Sequence, residues 1–363
     1  MEFHLQLPTR VTAGPGSLAR LGEIAAGLGF RRTLLVADRG IEAAGYAARA
    51  KRLLEAAGVT VFPLHDIEVN PDASAIEAGA ALAAPLGVDS IVAMGGGSSL
   101  DTAKAINFLL SNGGKIADYR GYGKAAAPML PMIGIPTTAG TGSEAQSYAV
   151  ISDAETHVKM ACGAPGAAFR MAILDPTLLV SAPRAVIAQA GYDAISHAVE
   201  SFVTTRRTPV SRSFSTEAWR LLNANYERVL AHPDNIAAQG QMQIGAFLAG
   251  LAIEHSMLGA THACANPLSA NYDTVHGVAI ALLLPCVVRW NGADIYSELH
   301  PHLPSRLEEL AVAGGLPRRL RDAGVPRTDL PRLAEQATQQ WTGTFNPRNL
   351  DLTGALEIYE CAY

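Results

Sequence analysis

The sequence predicts an α/β domain with a parallel sheet, followed by an all-α helical domain. Three observations predict it. The chain has 363 residues, more than one hydrophobic core usually serves, since single cores stop growing at roughly 250–300 residues. Its first half alternates short apolar runs with helix-periodic stretches. After about Ser181 that rhythm gives way to long helix-periodic segments. A strand–helix alternation is the pattern of a parallel sheet with crossover helices.

Arg32–Ala37 (RTLLVA) reads as a buried strand, followed by the helical stretch Ala43–Ala57. Val59–Leu64 is a second strand, Ala73–Leu86 a helix and Asp89–Met94 a third strand running into Gly95–Gly97. Met132–Pro136 (MIGIP) is a further strand. Beyond the DPTLLVSAP segment at Asp175–Pro183, the stretches Pro183–Val203, Ser211–Leu230, Ile236–Thr261 and Val278–Val288 read as helices. The proline punctuation places the boundary at 180/181, giving domains 1–180 and 181–363.

With 49% hydrophobic and 17% charged residues, the chain buries a substantial core and is not disordered. Its net charge of −5 excludes a basic nucleic-acid footprint. No basic, signal-like N-terminus and no uncharged apolar stretch of about 18 residues stands out, so the expectation is a cytoplasmic protein without a membrane partner. The four cysteines, Cys162, Cys264, Cys286 and Cys361, lack metal-knuckle spacing and read as reduced thiols.

Two glycine-rich strand ends carry the chemistry of the first half. GGGSSLDTAK at Gly95–Lys104 follows a strand and opens a helix. Gly96 and Gly97 let the backbone approach a phosphate, the helix N-terminus offers free N–H groups, and Ser98 adds a hydroxyl. PTTAGTGSE at Pro136–Glu144 concentrates hydroxyls and glycines at another strand end, and ligands of open α/β sheets collect beyond the carboxyl ends of strands. Asp38, at the end of RTLLVA, suits ribose hydroxyls and would repel a 2′-phosphate, which favours NAD over NADP.

In the second half, Asp193 and His197 stand four residues apart, on one helix face. His262 and His276 follow, fourteen residues apart in apolar surroundings. A carboxylate and three imidazoles form a set for a borderline divalent cation such as Fe2+ or Zn2+. Such an ion lowers the pKa of an oxygen it binds and polarises a carbonyl.

These motifs, with DAISHAVES at Asp193–Ser201 and the segment from Gly259 through Gly277, resemble the iron-containing (group III) alcohol dehydrogenase family over essentially the whole chain. The resemblance implies a Rossmann-like N-terminal domain and a helical C-terminal domain, in a dehydroquinate synthase-like architecture. It implies an NAD-dependent oxidoreductase acting on a primary alcohol/aldehyde pair, with a homodimer or larger homo-oligomer. The metal ligands it implies are Asp193, His197, His262 and His276. The implied cofactor contacts are Asp38, Asn70, Gly96, Gly97, Ser98, Asp101, Thr137, Thr138, Thr141, Ser143, Lys159 and Leu178.

The chain departs from the family at Asn266, where many members carry a histidine four residues after the third ligand. His255 lies eleven residues before Asn266 and would return to nearly the same face if one helix ran through both. On that ground His255 joins His262 and His276 as a candidate catalytic residue. Cys264 would point away from the ligand face. Alternative readings are a dehydroquinate-synthase-like lyase, which wants a dense Lys/Arg cluster that the apolar ligand segments lack, and a maleylacetate-reductase-like enzyme, for which Arg206 and Arg207 are available. A binding protein that has lost its chemistry is a third.

Overall fold

The computed structural model describes residues 5–67 and 71–363. The described chain divides into two compact units.

The first unit comprises Gln6–Thr138 and Ser143–Ser181. Its strands are β1 (Arg10–Ala13), β2 (Arg32–Ala37), β3 (Thr60–Leu64), β4 (Ser90–Gly95), β5 (Gly121–Tyr122), β6 (Met132–Pro136), β7 (Tyr148–Ser152), β8 (Lys159–Gly163) and β9 (Met171–Leu174). Its helices are α1 (Leu21–Gly27), α2 (Arg39–Ala43), α3 (Tyr46–Ala56), α4 (Ala73–Ala83) and α5 (Gly97–Asn112). Six strands form a wholly parallel sheet in the order β1-β9-β6-β4-β2-β3. The interior strands β4 and β6 are buried at every position, which is why they read as unbroken apolar runs rather than alternating ones. The edges differ: β3 carries Pro63 and β1 is mostly exposed, and prolines and polar residues are tolerated where no further strand must pair. The chain passes from β2 outward to β3 and then returns to the other side of β2 as β4. The carboxyl ends of β2 and β4 therefore flank a topological switch point, where ligands of open α/β sheets bind.

Two features of this unit lie outside the sequence expectation. Strands β1 and β9 extend the sheet beyond β6, and β5, β8 and β7 form a separate small sheet. These strands are short or partly exposed, so they lack the apolar contrast that marks β2, β4 and β6.

The second unit comprises Ala139–Gly142 and Ala182–Tyr363. A single cut at 180/181 does not anticipate the excursion of Ala139–Gly142. A Cβ on Gly140 would meet Ala190, and one on Gly142 would meet the backbone of Ala246 and Gly250, so small residues let this loop lie directly on helices. Those helices are α6 (Arg184–Val203), α7 (Pro209–Ala231), α8 (Ile236–Glu254), α9 (Ala260–Tyr272), α10 (His276–Asn291), α11 (Leu303–Gly314), α12 (Leu330–Thr338) and α13 (Leu352–Ala362). Thr208 caps α7 by accepting from Ser211 N, with Pro209 in the first turn.

Three expectations are corrected here. The helix expected over Ile236–Thr261 is two helices: α8 stops at Glu254, His255 is its C-cap, and α9 starts only at Ala260. The intervening backbone turns at Gly259 (φ −137°, ψ −144°). The helical phase that linked His255 to Asn266 is therefore lost. Second, α8 is long and apolar enough to cross a membrane, but most of it is buried within the protein. Its alanines, glycines and glutamines suit close packing against α6 and α7. Third, Cys286 and Cys361 are joined as a disulfide with Cα atoms 5.9 Å apart, because α10 and α13 bring together residues 75 positions apart in sequence. Cys162 and Cys264 are free and buried, as reduced thiols would be.

Candidate active site

At the switch point of the first unit, Asp38 caps α2. Its Oδ1 accepts from Ile41 N (3.1 Å) and its Oδ2 from Ser99 Oγ (2.9 Å). Gly95 ends β4 with φ +149°, and a Cβ there would lie 2.4 Å from Ser99 Oγ and 2.9 Å from Asp38 Oδ2. Only glycine brings the two turns this close. Gly96 is the N-cap of α5 and makes no side-chain cap hydrogen bond, so no side chain at that position covers the start of the helix. Thr137 N donates to Gly95 O (2.9 Å), and Thr138 Oγ1 lies 3.5 Å from where a Gly96 Cβ would stand. Asp38, Gly96, Gly97, Ser98, Thr137 and Thr138 thus stand at the carboxyl ends of three adjacent strands, β2, β4 and β6.

The other expected cofactor contacts are placed differently. Asp101 and Ser143 are turned to one another: Ser143 Oγ donates to Asp101 Oδ1 (2.5 Å), and Asp101 Oδ2 accepts from Val150 N (3.1 Å). The fully buried Lys104 donates to Ser143 O (2.7 Å), Ser143 Oγ (2.8 Å) and Tyr148 O (2.7 Å), and its ammonium lies 5.3 Å from the Phe169 ring centre. These residues tie the start of β7 to α5. Thr141 lies in the loop that packs on α6 and α8. Lys159 opens β8 opposite Ser152. Leu178 is buried just past β9, beside Asp175, whose carboxylate accepts from Gly16 N, Leu18 N and Thr177 N. Asn70 lies outside the described residues.

In the helical unit, Asp193 and His197 lie on one face of α6, His262 lies in the first turn of α9, and His276 opens α10. The close fit of α10 depends on Gly277, where a Cβ would meet Gln189 O of α6 at 2.3 Å. The ligand atoms of Asp193, His262 and His276 lie within 4.8 Å of one another. The Nε2 atoms of His197, His262 and His276 lie 3.3, 3.7 and 3.7 Å from Asp193 Oδ1. The rings cluster, with His197 stacked on His262 at 5.0 Å and His276 tilted against it at 5.2 Å. Asp193 Oδ1 and His262 Nε2 are nevertheless buried without a hydrogen-bond partner. Unsatisfied buried polar atoms cost about 1–3 kcal/mol each, and a carboxylate with converging imidazoles is the donor chemistry of Fe2+ or Zn2+. The residues present fit a divalent ion.

Electrostatics agree with that crowding. Burial would raise the Asp193 carboxyl, but the imidazoles of His197, His276 and His262 hold it well below the usual carboxylate range. Burial pushes the His197 imidazole down to about 4. Burial also acts to lower His262, but the Glu200 and Asp193 carboxylates outweigh it and hold this ring up at about 9.

Glu200 escaped the sequence reading. It is buried on α6, and His262 Nδ1 donates to its Oε2 while Thr261 N donates to its Oε1 (2.7 Å). Its signal was present as spacing: it lies three residues after His197 and seven after Asp193, on the same helical face. Asn346 also escaped; its Oδ1 accepts from Ala260 N (3.2 Å) across 86 residues, with no local signature.

Asn266 donates to Gln340 Oε1 (3.1 Å). The His255 ring lies 6.3 Å from that of Phe214 on α7 and is not part of the imidazole cluster. Cys264 is buried, and its carbonyl accepts from Tyr359 OH (2.6 Å). Arg207 donates to Val203 O and Thr204 O (3.0 Å each), capping the end of α6, and Arg206 lies over the Phe345 ring. Both arginines are committed to the fold around the end of α6, which weakens the maleylacetate-reductase-like reading.

Residues 8–176 match the family described as iron-containing alcohol dehydrogenase, and residues 187–363 match the C-terminal family of Fe-containing alcohol dehydrogenases. The 1,3-propanediol dehydrogenase of Klebsiella pneumoniae is 34% identical over 367 residues, covering 95% of each chain. The crystal structure of a 1,3-propanediol oxidoreductase superposes with a TM-score of 0.95 at 31% identity, over 100% of both chains. A sulfoacetaldehyde reductase from Bifidobacterium kashiwanohense, solved in complex with NAD+, gives a TM-score of 0.90 at 26% identity, over 100% of this chain and 99% of that one. With both halves matched in order and Asp193, His197, His262 and His276 brought together on three helices, this chain belongs to the iron-containing alcohol dehydrogenase family and is an oxidoreductase of alcohol/aldehyde pairs.

Proposed function

We propose that the protein transfers hydride between NAD(H) and a small primary alcohol/aldehyde pair, using a divalent ion, Fe2+ or Zn2+, held by Asp193, His197, His262 and His276. The observation that carries this reading is the convergence of three imidazole Nε2 atoms on Asp193 Oδ1, with that oxygen and His262 Nε2 buried and unbonded. When bound, the ion polarises the substrate oxygen and lowers its pKa, and the nicotinamide serves as hydride partner.

The chain's own groups do the positioning. Gly96 and Gly97 keep the N-terminus of α5 open to a diphosphate, with Ser98, Thr137 and Thr138 as hydroxyl donors around it. Asp38 carries a negative charge at the end of β2, already steadied by Ser99. That charge receives ribose hydroxyls and disfavours a 2′-phosphate, which selects NAD. Thr141, Lys159, Leu178 and Asn70 complete the proposed contacts, while Asp101 and Ser143 act through Lys104 on the loop's shape. Asn266 has no titratable proton near neutral pH, which leaves water, ribose hydroxyls or the hydroxyls of the Pro136–Glu144 loop to carry the alcohol proton. A small-molecule substrate, a cytoplasmic location and a homo-oligomeric state belong to the same proposal.

The test is an NADH-linked assay over a panel of alcohols and aldehydes before and after chelation. Chelated enzyme is expected to lose at least about 10³-fold in rate, equivalent to about 4 kcal/mol of transition-state stabilisation, and to recover on adding Fe2+ or Zn2+. Full turnover by exhaustively metal-free protein would refute the reading.

A further inference from the structure

We infer that Glu200 is the positioning residue of this site, a carboxylate that fixes both the ring of His262 and the first turn of α9, so that His262 Nε2 is presented to the ion. The inference rests on the assignment of His262 as a ligand. It is carried by geometry that the ligand set alone does not require. Glu200 is 3% exposed and stands on α6, the helix that carries Asp193 and His197. Its two oxygens have separate tasks: Oε2 accepts from His262 Nδ1, and Oε1 accepts from Thr261 N at 2.7 Å.

Each contact has a physical consequence. With the Nδ1 proton engaged by a carboxylate, an imidazole that gives up one proton on binding an ion keeps the one on Nδ1, which leaves the lone pair on Nε2, the atom that faces Asp193 Oδ1. The Thr261 contact satisfies one of the orphan N–H groups of α9, and Asn346 Oδ1 satisfies the neighbouring Ala260 N. Negative charge is also favoured at a helix N-terminus. One carboxylate thus locks ring tautomer, ring orientation and helix start together, and couples the helix bearing two ligands to the helix bearing the third. Gly259 permits this approach: a Cβ there would stand 2.9 Å from Asn346 Oδ1 and 3.2 Å from Glu200 Oε1.

A glutamine at this position has one acceptor oxygen for two N–H donors. If its amide NH2 faces His262, the ring must put its proton on Nε2, which opposes coordination. Glu200→Gln is therefore expected to weaken Zn2+ affinity, measured by competition with a chromogenic chelator, by about 10–100-fold. It is also expected to shift the visible absorption of the Co2+-loaded enzyme, a signature that the lower thermal stability expected from one unsatisfied buried N–H would not by itself produce. Wild-type Zn2+ affinity together with an unchanged Co2+ spectrum would overturn the inference. If Glu200→Gln yields no soluble protein, Glu200→Asp carries the same measurements: its carboxylate is one methylene short of spanning both donors, and unchanged affinity there overturns the inference equally. His262→Ala separates the two layers. If it leaves Zn2+ affinity intact, the ligand assignment itself fails; if it lowers affinity while Glu200→Gln does not, only the role of Glu200 fails.

Discussion

The strand-end turns of the α/β unit and the imidazole cluster of the helical unit treat buried polarity in opposite ways. In the first, every named carboxylate and ammonium finds its partner inside the fold: Asp38 with Ile41 N and Ser99, Asp101 with Ser143 and Val150 N, Lys104 with two carbonyls and a hydroxyl. In the second, Asp193 Oδ1 and His262 Nε2 are buried and unbonded. Internal satisfaction stabilises a loop without any ligand. Orphaned atoms cost stability until a ligand binds them. The α/β unit uses its polar groups for shape, whereas the helical unit gathers a carboxylate and three imidazoles and leaves Asp193 Oδ1 and His262 Nε2 without hydrogen-bond partners.

That contrast can be tested by substitution, starting with the largest effect. Lys104→Met strips three acceptors of a buried donor and leaves Asp101 without the ammonium 3.8 Å away. Breaking a buried pair in this way costs about 3–5 kcal/mol, and guanidinium unfolding monitored on the α/β unit should report it. A loss below about 1 kcal/mol would mean that the network does not hold the loop.

Glu144 gives a smaller, pH-dependent effect. It is buried in the same loop, and burial raises its carboxyl from 4.5 to about 7. The folded state therefore binds the proton more tightly than the unfolded chain. The stability this contributes is fully present below pH 4.5 and is lost as pH rises through about 7. Replacing the group with a neutral isostere, Glu144→Gln, should stabilise the protein relative to wild type at pH 8 but not at pH 4.5. The difference is on the order of 1–3 kcal/mol. Equal effects at both values would show that Glu144 is not held neutral.

The smallest effect is expected at His255. It lies against Phe214, off the imidazole cluster, so His255→Ala should leave turnover and its pH profile within about twofold of wild type. A displaced pH profile would restore His255 to the proton route.

Much of the α/β unit was legible because its signals are local. Arg32–Ala37 and Met132–Pro136 read as strands and are β2 and β6 to the residue. The glycine turn before α5 can be read within ten residues. What escaped was set by distant partners. Strand β9 is a four-residue segment that becomes a strand by pairing with β1 and β6. The break between α8 and α9 lies in a stretch whose periodicity runs on, and it is set by the seat of Gly259 against Asn346 and Glu200. Asp193 and His197 could be paired on one helix by spacing alone, but their meeting with His262 and His276 required three helices to pack, with Gly277 against Gln189.

From its sequence alone this protein determined its strand runs, its glycine-rich turns and the residue types able to hold a nucleotide and a cation, because periodicity and turn chemistry act over a few residues. Tertiary structure alone decided that Cys286 meets Cys361, that Asp101 and Ser143 serve Lys104, and that Glu200 grips His262. Those pairings are fixed by the close packing of segments far apart in the chain, which no local pattern encodes.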